Sequence, residues 1–256
     1  MKTFKSKYRD MRKKNNSMLV IGIDTDVERL PSGYSKNATG VLEYNKHIID
    51  VTKDLVCGYK INTAFYERLG YLGWECLEDT VRYIDRDIPV VLDVKRGDIS
   101  NTARSYAKAY FETLEVDAVT VNPYMGFDAV KPFLEYKDKY IFVLCLTSNP
   151  SSEDFQRYGE PPLFEVVAQK VKDWNNEFGN CGLVAGATKI KDMRKIREIA
   201  GEDVIYLIPG VGTQGGDVKK ILVIMRNVEV MINVSRSIIF SRDIRKTALE
   251  YRDVME

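Results

Sequence analysis

Histidine is almost missing from this chain: among 256 residues there is one, His47. A hydrolytic triad that turns on imidazole, or a zinc site built of histidines, has little to be made from. Cysteine is scarce as well. Cys57, Cys76, Cys145 and Cys181 form no CxxC pair, which removes the common zinc and dithiol motifs. They read as small core residues of a protein in a reducing compartment, so a cytoplasmic location is expected. No apolar run approaches the roughly 20 residues needed to span a bilayer. A dominant charge is lacking too, with 38 Lys and Arg against 37 Asp and Glu and a net charge of +1. Neither nucleic acid nor an anionic membrane is therefore an expected partner. No Pro-, Gly- or Ser-rich linker, repeat or low-complexity stretch divides the sequence, and residues 1–256 are expected to form one domain.

Residues 1–17 carry seven Lys and Arg against one Asp. No apolar segment or small-residue cleavage site follows, and Ser17 leads straight into a β-rich run, so this is not read as a transit peptide. Phe4, Tyr8 and Met11 stand at helical spacing, which predicts an exposed N-terminal helix. Beyond it, β-rich runs recur at Met18–Ile23, Leu55–Ile61, Val90–Asp93, Ala118–Asn122, Tyr140–Leu146, Gly182–Ala185, Val204–Ile208 and Val228–Val234. Between them the pattern is helical, near residues 40–53, 62–84, 99–115, 127–137, 163–178, 189–200, 215–227 and 241–253. Strands rich in Val, Ile and Leu on both faces suit a parallel sheet covered by helices. Eight strand–helix units in about 250 residues predict an α/β fold, a single (β/α)8 TIM barrel with an extra N-terminal helix. A doubly wound open sheet is the alternative.

A barrel places its chemistry at the C-terminal ends of the strands. Polar residues collect there: Asp24, Lys60 with Asn62, Asp93 with Lys95 and Asp98, Asn122, Thr147-Ser148-Asn149, the loop from Pro209 to Asp217, and Ser235-Arg236. The loop "PGVGTQGGD" after strand seven lets backbone N–H groups approach an anion, and Gln214 adds a side-chain donor. Arg236, after strand eight, can grip a phosphate with both arms of its guanidinium. A flexible turn beside a surface arginine is the plainer alternative. In "DVKRGDISN", Asp93 and Lys95 stand two apart, so at a strand end their side chains emerge on one face. Gly97 permits a turn after which Asp98 can fold back or reach outward. With Lys60 on the neighbouring strand, an alternating array Lys60–Asp93–Lys95–Asp98 is possible, with carboxylates holding Lys95 protonated. Such an ammonium suits proton donation to a carbanion. A structural ion-pair cluster on the barrel rim explains the spacing equally well.

"LDVKRGDISNTA" resembles the DxKxxD signature of the orotidine 5′-phosphate decarboxylase family. "LVIGIDTDVERLP", "YKINTAFYE", "VNPYMGFDAVKPF", "LCLTSNPS", "PGVGTQGGD" and "INVSRSIIF" resemble further blocks of that family in the same order, closest to its longer-chain bacterial and protozoan branch. DxKxxD alone is shared with metal-dependent sugar-phosphate decarboxylases and aldolases of the same superfamily; its combination with Lys60, "TSNP" and "GVGTQGGD" is specific. The resemblance implies loss of CO2 from orotidine 5′-monophosphate to give uridine 5′-monophosphate, the last step of pyrimidine synthesis, without cofactor or metal. It implies that Lys95 donates the proton to C6 and that Asp93 lies against the departing carboxylate. Lys60 and Asp24 would hold ribose hydroxyls, Ser148 the pyrimidine, and Gln214 and Arg236 the phosphate, with Pro209 opening the phosphate loop. Asp98 and Thr102 would cross to the partner's site in a homodimer. Asn62 and Asn122 are candidates either for touching the ligand or for supporting residues that do.

Overall fold

The structure, a computed structural model, describes residues 2–212 and 217–255. Eight parallel strands close into a barrel in chain order: β1 (Leu19–Gly22), β2 (Gly58–Asn62), β3 (Val90–Arg96), β4 (Ala118–Val121), β5 (Tyr140–Leu146), β6 (Cys181–Ala185), β7 (Ile205–Pro209) and β8 (Glu229–Val234), with β8 pairing back onto β1. The (β/α)8 barrel expected from the sequence is thus the fold, and the open sheet is not. Strands apolar on both faces suit a parallel sheet covered by helices, and the pairing of β8 with β1 closes it. The inner faces fill the barrel, and the outer faces need a ring of helices.

That ring consists of α2 (Ala38–Thr52), α3 (Ala64–Glu67), α4 (Tyr71–Tyr83), α5 (Ser100–Lys108), α6 (Phe127–Leu134), α7 (Leu163–Phe178), α8 (Ile190–Ala200), α9 (Val218–Ile224), α10 (Arg236–Ile239) and α11 (Ile244–Val254), preceded by α1 (Phe4–Asn15). The single helix expected over residues 62–84 is two, broken at Gly70. All four cysteines are buried and free. Burial pushes the Cys57 thiol up to about 12 and that of Cys76 to about 11. Neither is a nucleophile at neutral pH.

Helix α1 corrects one expectation. It is not an exposed helix: Phe4, Tyr8 and Met11 are buried. Phe4 and Tyr8 join Val20, Val91, Phe142 and Leu207 in one apolar cluster, and the Phe4 ring stacks on Tyr140 at 5.0 Å between centroids. The Tyr8 hydroxyl donates to the Val230 carbonyl at 2.9 Å. Around this apolar stripe the basic residues find acids at the strand beginnings, Lys7 with Asp117 at 2.6 Å and Arg9 with Glu229 at 2.8 Å. The helix therefore closes the N-terminal mouth of the barrel, where a ring of strands alone would leave apolar side chains facing water. The opposite mouth stays open.

Candidate active site

At that open mouth lies a cavity of about 530 Å³. Strand alternation explains its polarity, because inward-facing positions recur every two residues. Val91 is followed on the same face by Asp93, Ala118 by Thr120, and Met231 by Asn233: the lower residue belongs to the apolar interior and the upper one lines the cavity.

The register of β2 and β3 pairs Lys60 with Val91 and Asn62 with Asp93. Lys60 and Asp93 are therefore diagonal neighbours on one face. Lys60 Nζ lies 2.9 Å from Asp93 Oδ2 and 3.5 Å from Asp24 Oδ1 on the next strand end. The other Asp93 oxygen, Oδ1, accepts from Lys95 Nζ at 2.5 Å. The result is a row of alternating charge, Asp24–Lys60–Asp93–Lys95. Burial by itself would lower the pKa of Lys60, but the charges of Asp24 and Asp93, and hydrogen bonds to both, raise it above the ordinary lysine value. For Asp93, burial opposes ionisation. The charges of Lys60 and Lys95, with their hydrogen bonds, outweigh it and hold the carboxyl well below the usual range. Both groups are locked in their charged forms, and Lys95, with 46% of its side chain exposed, reaches into the cavity with its ammonium against Asp93. A fixed negative charge beside a cation that can give up a proton is an arrangement suited to stabilising a carbanion and then quenching it.

The backbone behind Lys95 is not regular strand. The β3–β4 register shifts between Leu92 and Arg96, and Lys95 itself adopts φ 47°, a left-handed conformation costing an L-residue about 1–2 kcal/mol. Gly97 allows a close approach between the loops after β3 and β4, since a Cβ there would stand 3.1 Å from the Asn122 carbonyl oxygen.

Asp24, Lys60, Asn62, Asp93, Lys95, Ser148, Pro209 and Arg236 all line the cavity. Three expected residues do not. Asp98 has its Oδ1 accepting from the Ile99 N–H at 2.8 Å, and no ion pair within 4.0 Å joins it to Lys95 among the described residues, so the array within one chain ends at Lys95. Thr102 is exposed on α5. Asn122 is exposed, and its side-chain oxygen accepts from the Tyr124 N–H at 3.0 Å, an Asx turn that shapes the loop after β4. Gln214 lies outside the described residues. Near it, Gly212 has φ 87° and lies so close to Ser237 that a Cβ would stand 2.5 Å from its Oγ. A glycine is required there to bring the loop against α10 and Arg236.

The strand-end reading missed the inward positions one step deeper. Thr120 Oγ1 donates to Asp93 Oδ1 at 3.0 Å. Asn233, 5% exposed, has an Oδ1 without a partner among the described residues. Phe65, Leu144, Val184 and Leu207 supply apolar wall. Period-two counting back from Asn122 and Ser235 would have found Thr120 and Asn233.

The family model described as "Orotidine 5′-phosphate decarboxylase / HUMPS family" matches residues 17–251. An orotidine 5′-phosphate decarboxylase of Herpetosiphon aurantiacus is 46% identical over 242 residues, covering 93% of this chain and 90% of the relative. Among solved structures, Leishmania donovani OMP decarboxylase superposes with a TM-score of 0.89 at 37% identity, over 99% of this chain and 97% of that one. Leishmania donovani UMP synthase gives a TM-score of 0.91 at 37% identity, over 100% of this chain and 56% of that longer one.

Proposed function

Because the chain belongs to the orotidine 5′-phosphate decarboxylase family, its activity is the decarboxylation of orotidine 5′-monophosphate to uridine 5′-monophosphate in pyrimidine synthesis, and we propose that the row Asp24–Lys60–Asp93–Lys95 carries it. In this reading the substrate lies across the cavity with its phosphate towards Arg236 and the loop holding Gln214. Ser148 borders the pyrimidine, and Pro209 opens the phosphate loop. Asp24 and Lys60 hold ribose hydroxyls, with Asn62 beside them. The carboxylate on C6 is directed at Asp93. The bond from C6 to the carboxylate carbon breaks, its electron pair stays on C6, and CO2 leaves. A proton from Lys95 Nζ then forms the new C6–H bond, and solvent restores the lysine.

Magnitudes decide which effect dominates. Two carboxylates ~4 Å apart at an effective dielectric of ~20 repel by roughly 4 kcal/mol, which is about three decades of rate if fully relieved. A vinyl carbanion without resonance stabilisation needs far more. The larger share falls to the Lys95 charge, placed in advance where negative charge develops. Binding energy from the remote phosphate holds the site in order during the reaction.

The reading includes a homodimer in which Asp98 and Thr102 serve the partner's site, and a cytoplasmic location. Ile99, Tyr124 and Met125 support the dimer. They lie 52%, 80% and 50% exposed on the two loops that meet at Gly97 and Asn122, and a second copy would cover them. No described helix is long and apolar enough to cross a membrane.

The observation that carries the proposal is the double engagement of Lys60. Its ammonium sits against both Asp24 and Asp93, so these carboxylates already have a cation, and the metal-dependent sugar-phosphate chemistry of the superfamily is the weaker reading. The test is the loss of substrate absorbance when protein treated with EDTA is added to orotidine 5′-monophosphate. Full turnover is expected. Activity only after a divalent metal is restored would overturn a cofactor-free mechanism.

A further inference from the structure

We infer that Thr120 is a positioning residue for this reaction, its one hydroxyl fixing both the Lys95 backbone and the Asp93 carboxylate. The inference rests on the roles proposed above for Lys95 and Asp93. Thr120 sits on β4 and is 1% exposed. Leu92 pairs with Val119 and Arg96 with Val121, so the three residues Asp93, Val94 and Lys95 stand opposite Thr120 alone. Two β3 amides thereby lose the partners a regular ladder would supply. Thr120 Oγ1 takes both, accepting from Val94 N at 3.0 Å and from Lys95 N at 2.9 Å.

A hydroxyl has two lone pairs and one hydrogen. With both lone pairs engaged by N–H groups, its hydrogen is directed at Asp93 Oδ1, 3.0 Å away. The same carboxylate oxygen receives Lys95 Nζ at 2.5 Å, and Oδ2 receives Lys60 at 2.9 Å. One side chain thus closes a ring through the Lys95 amide, the Lys95 ammonium and Asp93. Lys95 holds a left-handed φ of 47°, and such a conformation persists where the surroundings over-determine it. Here the two hydrogen bonds that the Val94 and Lys95 N–H groups donate to Thr120 Oγ1 do so. Valine would fill the same space, and the neighbouring residues Val119 and Val121 are valines. Only the hydroxyl distinguishes position 120 chemically.

The experiment compares Thr120→Val, which removes the hydroxyl and keeps the shape, with Thr120→Ser, which keeps it. If Thr120 acts by placing Lys95 and Asp93, Thr120→Val lowers kcat by about 100-fold, the scale on which a displaced catalytic group loses rate. KM and the affinity for uridine 5′-monophosphate stay near wild type, and Thr120→Ser restores most of kcat. If Thr120→Val does not fold, as judged by circular dichroism and nucleotide binding, Thr120→Cys asks the same question. Its thiol is a weak donor and acceptor, and it is expected to turn over slowly while binding normally. Wild-type kcat in Thr120→Val or Thr120→Cys would overturn the inference, as would a fall in kcat matched by an equal loss of nucleotide affinity. Wild-type turnover in the same assay separately tests the proposed function, so the two can fail independently.

Discussion

Lys60 Nζ stands 2.9 Å from Asp93 Oδ2 in the floor of the cavity, with 4% of the lysine side chain and 11% of the aspartate exposed. Neither charge would be tolerable there alone. Each is held ionised by the other, and Asp24 and Lys95 extend the compensation on either side. In the proposed mechanism Asp93 remains an anion beneath the reacting carboxylate and keeps the Lys95 ammonium in place until a carbanion competes for its proton.

Stability should record this locking at both ends of the pH scale. The Asp93 pKa is depressed in the fold, so its contribution is complete above the unfolded value of 3.8 and is lost as pH falls below it. Lys60 is raised, so its contribution is complete below the unfolded value of 10.5 and is lost as pH rises towards the folded value. In unfolding free energies from urea titrations, the contributions of these two groups should be level between these limits. In acid, Asp93→Asn should fall less steeply than wild type by up to one proton, about 1.4 kcal/mol per pH unit. Parallel acid limbs would contradict the depressed carboxyl.

Lys95→Ala should abolish decarboxylation while leaving uridine 5′-monophosphate binding largely intact, because only the developing carbanion gains from its proton. A positioned acid contributes about 10²–10⁴-fold, and charge stabilisation adds to that. Steady-state kinetics with calorimetry for binding checks this; turnover close to wild type would remove Lys95 from its role.

Arg236→Ala should weaken uridine 5′-monophosphate far more than uridine. Loss of one charge-assisted contact costs about 1.5–3 kcal/mol, or roughly one to two decades in affinity. Calorimetry giving equal losses for nucleotide and nucleoside would exclude the phosphate contact.

Asp98 makes no ion pair with Lys95 of its own chain, and the proposed dimer puts it in the neighbouring site. Lys60→Ala and Asp98→Ala should each be nearly inactive. In a mixed dimer one site carries both lesions and the other carries neither. Random co-refolding of equal amounts should therefore restore about a quarter of wild-type sites. Mixed dimers seen by mass spectrometry without any gain over the separate variants would place each site within one chain.

Phe4→Ala should destabilise the barrel without altering kcat of the folded protein, because Phe4 fills the mouth opposite the cavity. Emptying such a buried aromatic site costs about 3–5 kcal/mol. A melting temperature equal to wild type would mean that α1 does not close the barrel floor.

The order of strands and helices was legible in the residues, because apolar runs buried on both faces with helical spacing between them require a parallel sheet covered by helices; closure into a barrel and not an open sheet came from the pairing of β8 with β1. The sequence also placed the polar residues at the strand ends, and Lys60, Asp93, Lys95, Ser148 and Arg236 do meet around one cavity. Spacing could not say which charges touch. Only the tertiary structure put Lys60 between Asp24 and Asp93, because that contact depends on the register between neighbouring strands, fixed by the closure of the whole barrel. Asp98 belongs to the same motif yet stands apart from Lys95, because the chain turns away after the irregular end of β3. Nothing in the sequence sets Thr120 apart within its apolar strand; its value comes from the register shift opposite it, which leaves two amides seeking an acceptor. The basic N-terminal segment looked like a helix for solvent because charge dominates its composition. The barrel's open lower mouth decided otherwise, by offering Phe4 and Tyr8 an apolar pocket that no local pattern can announce.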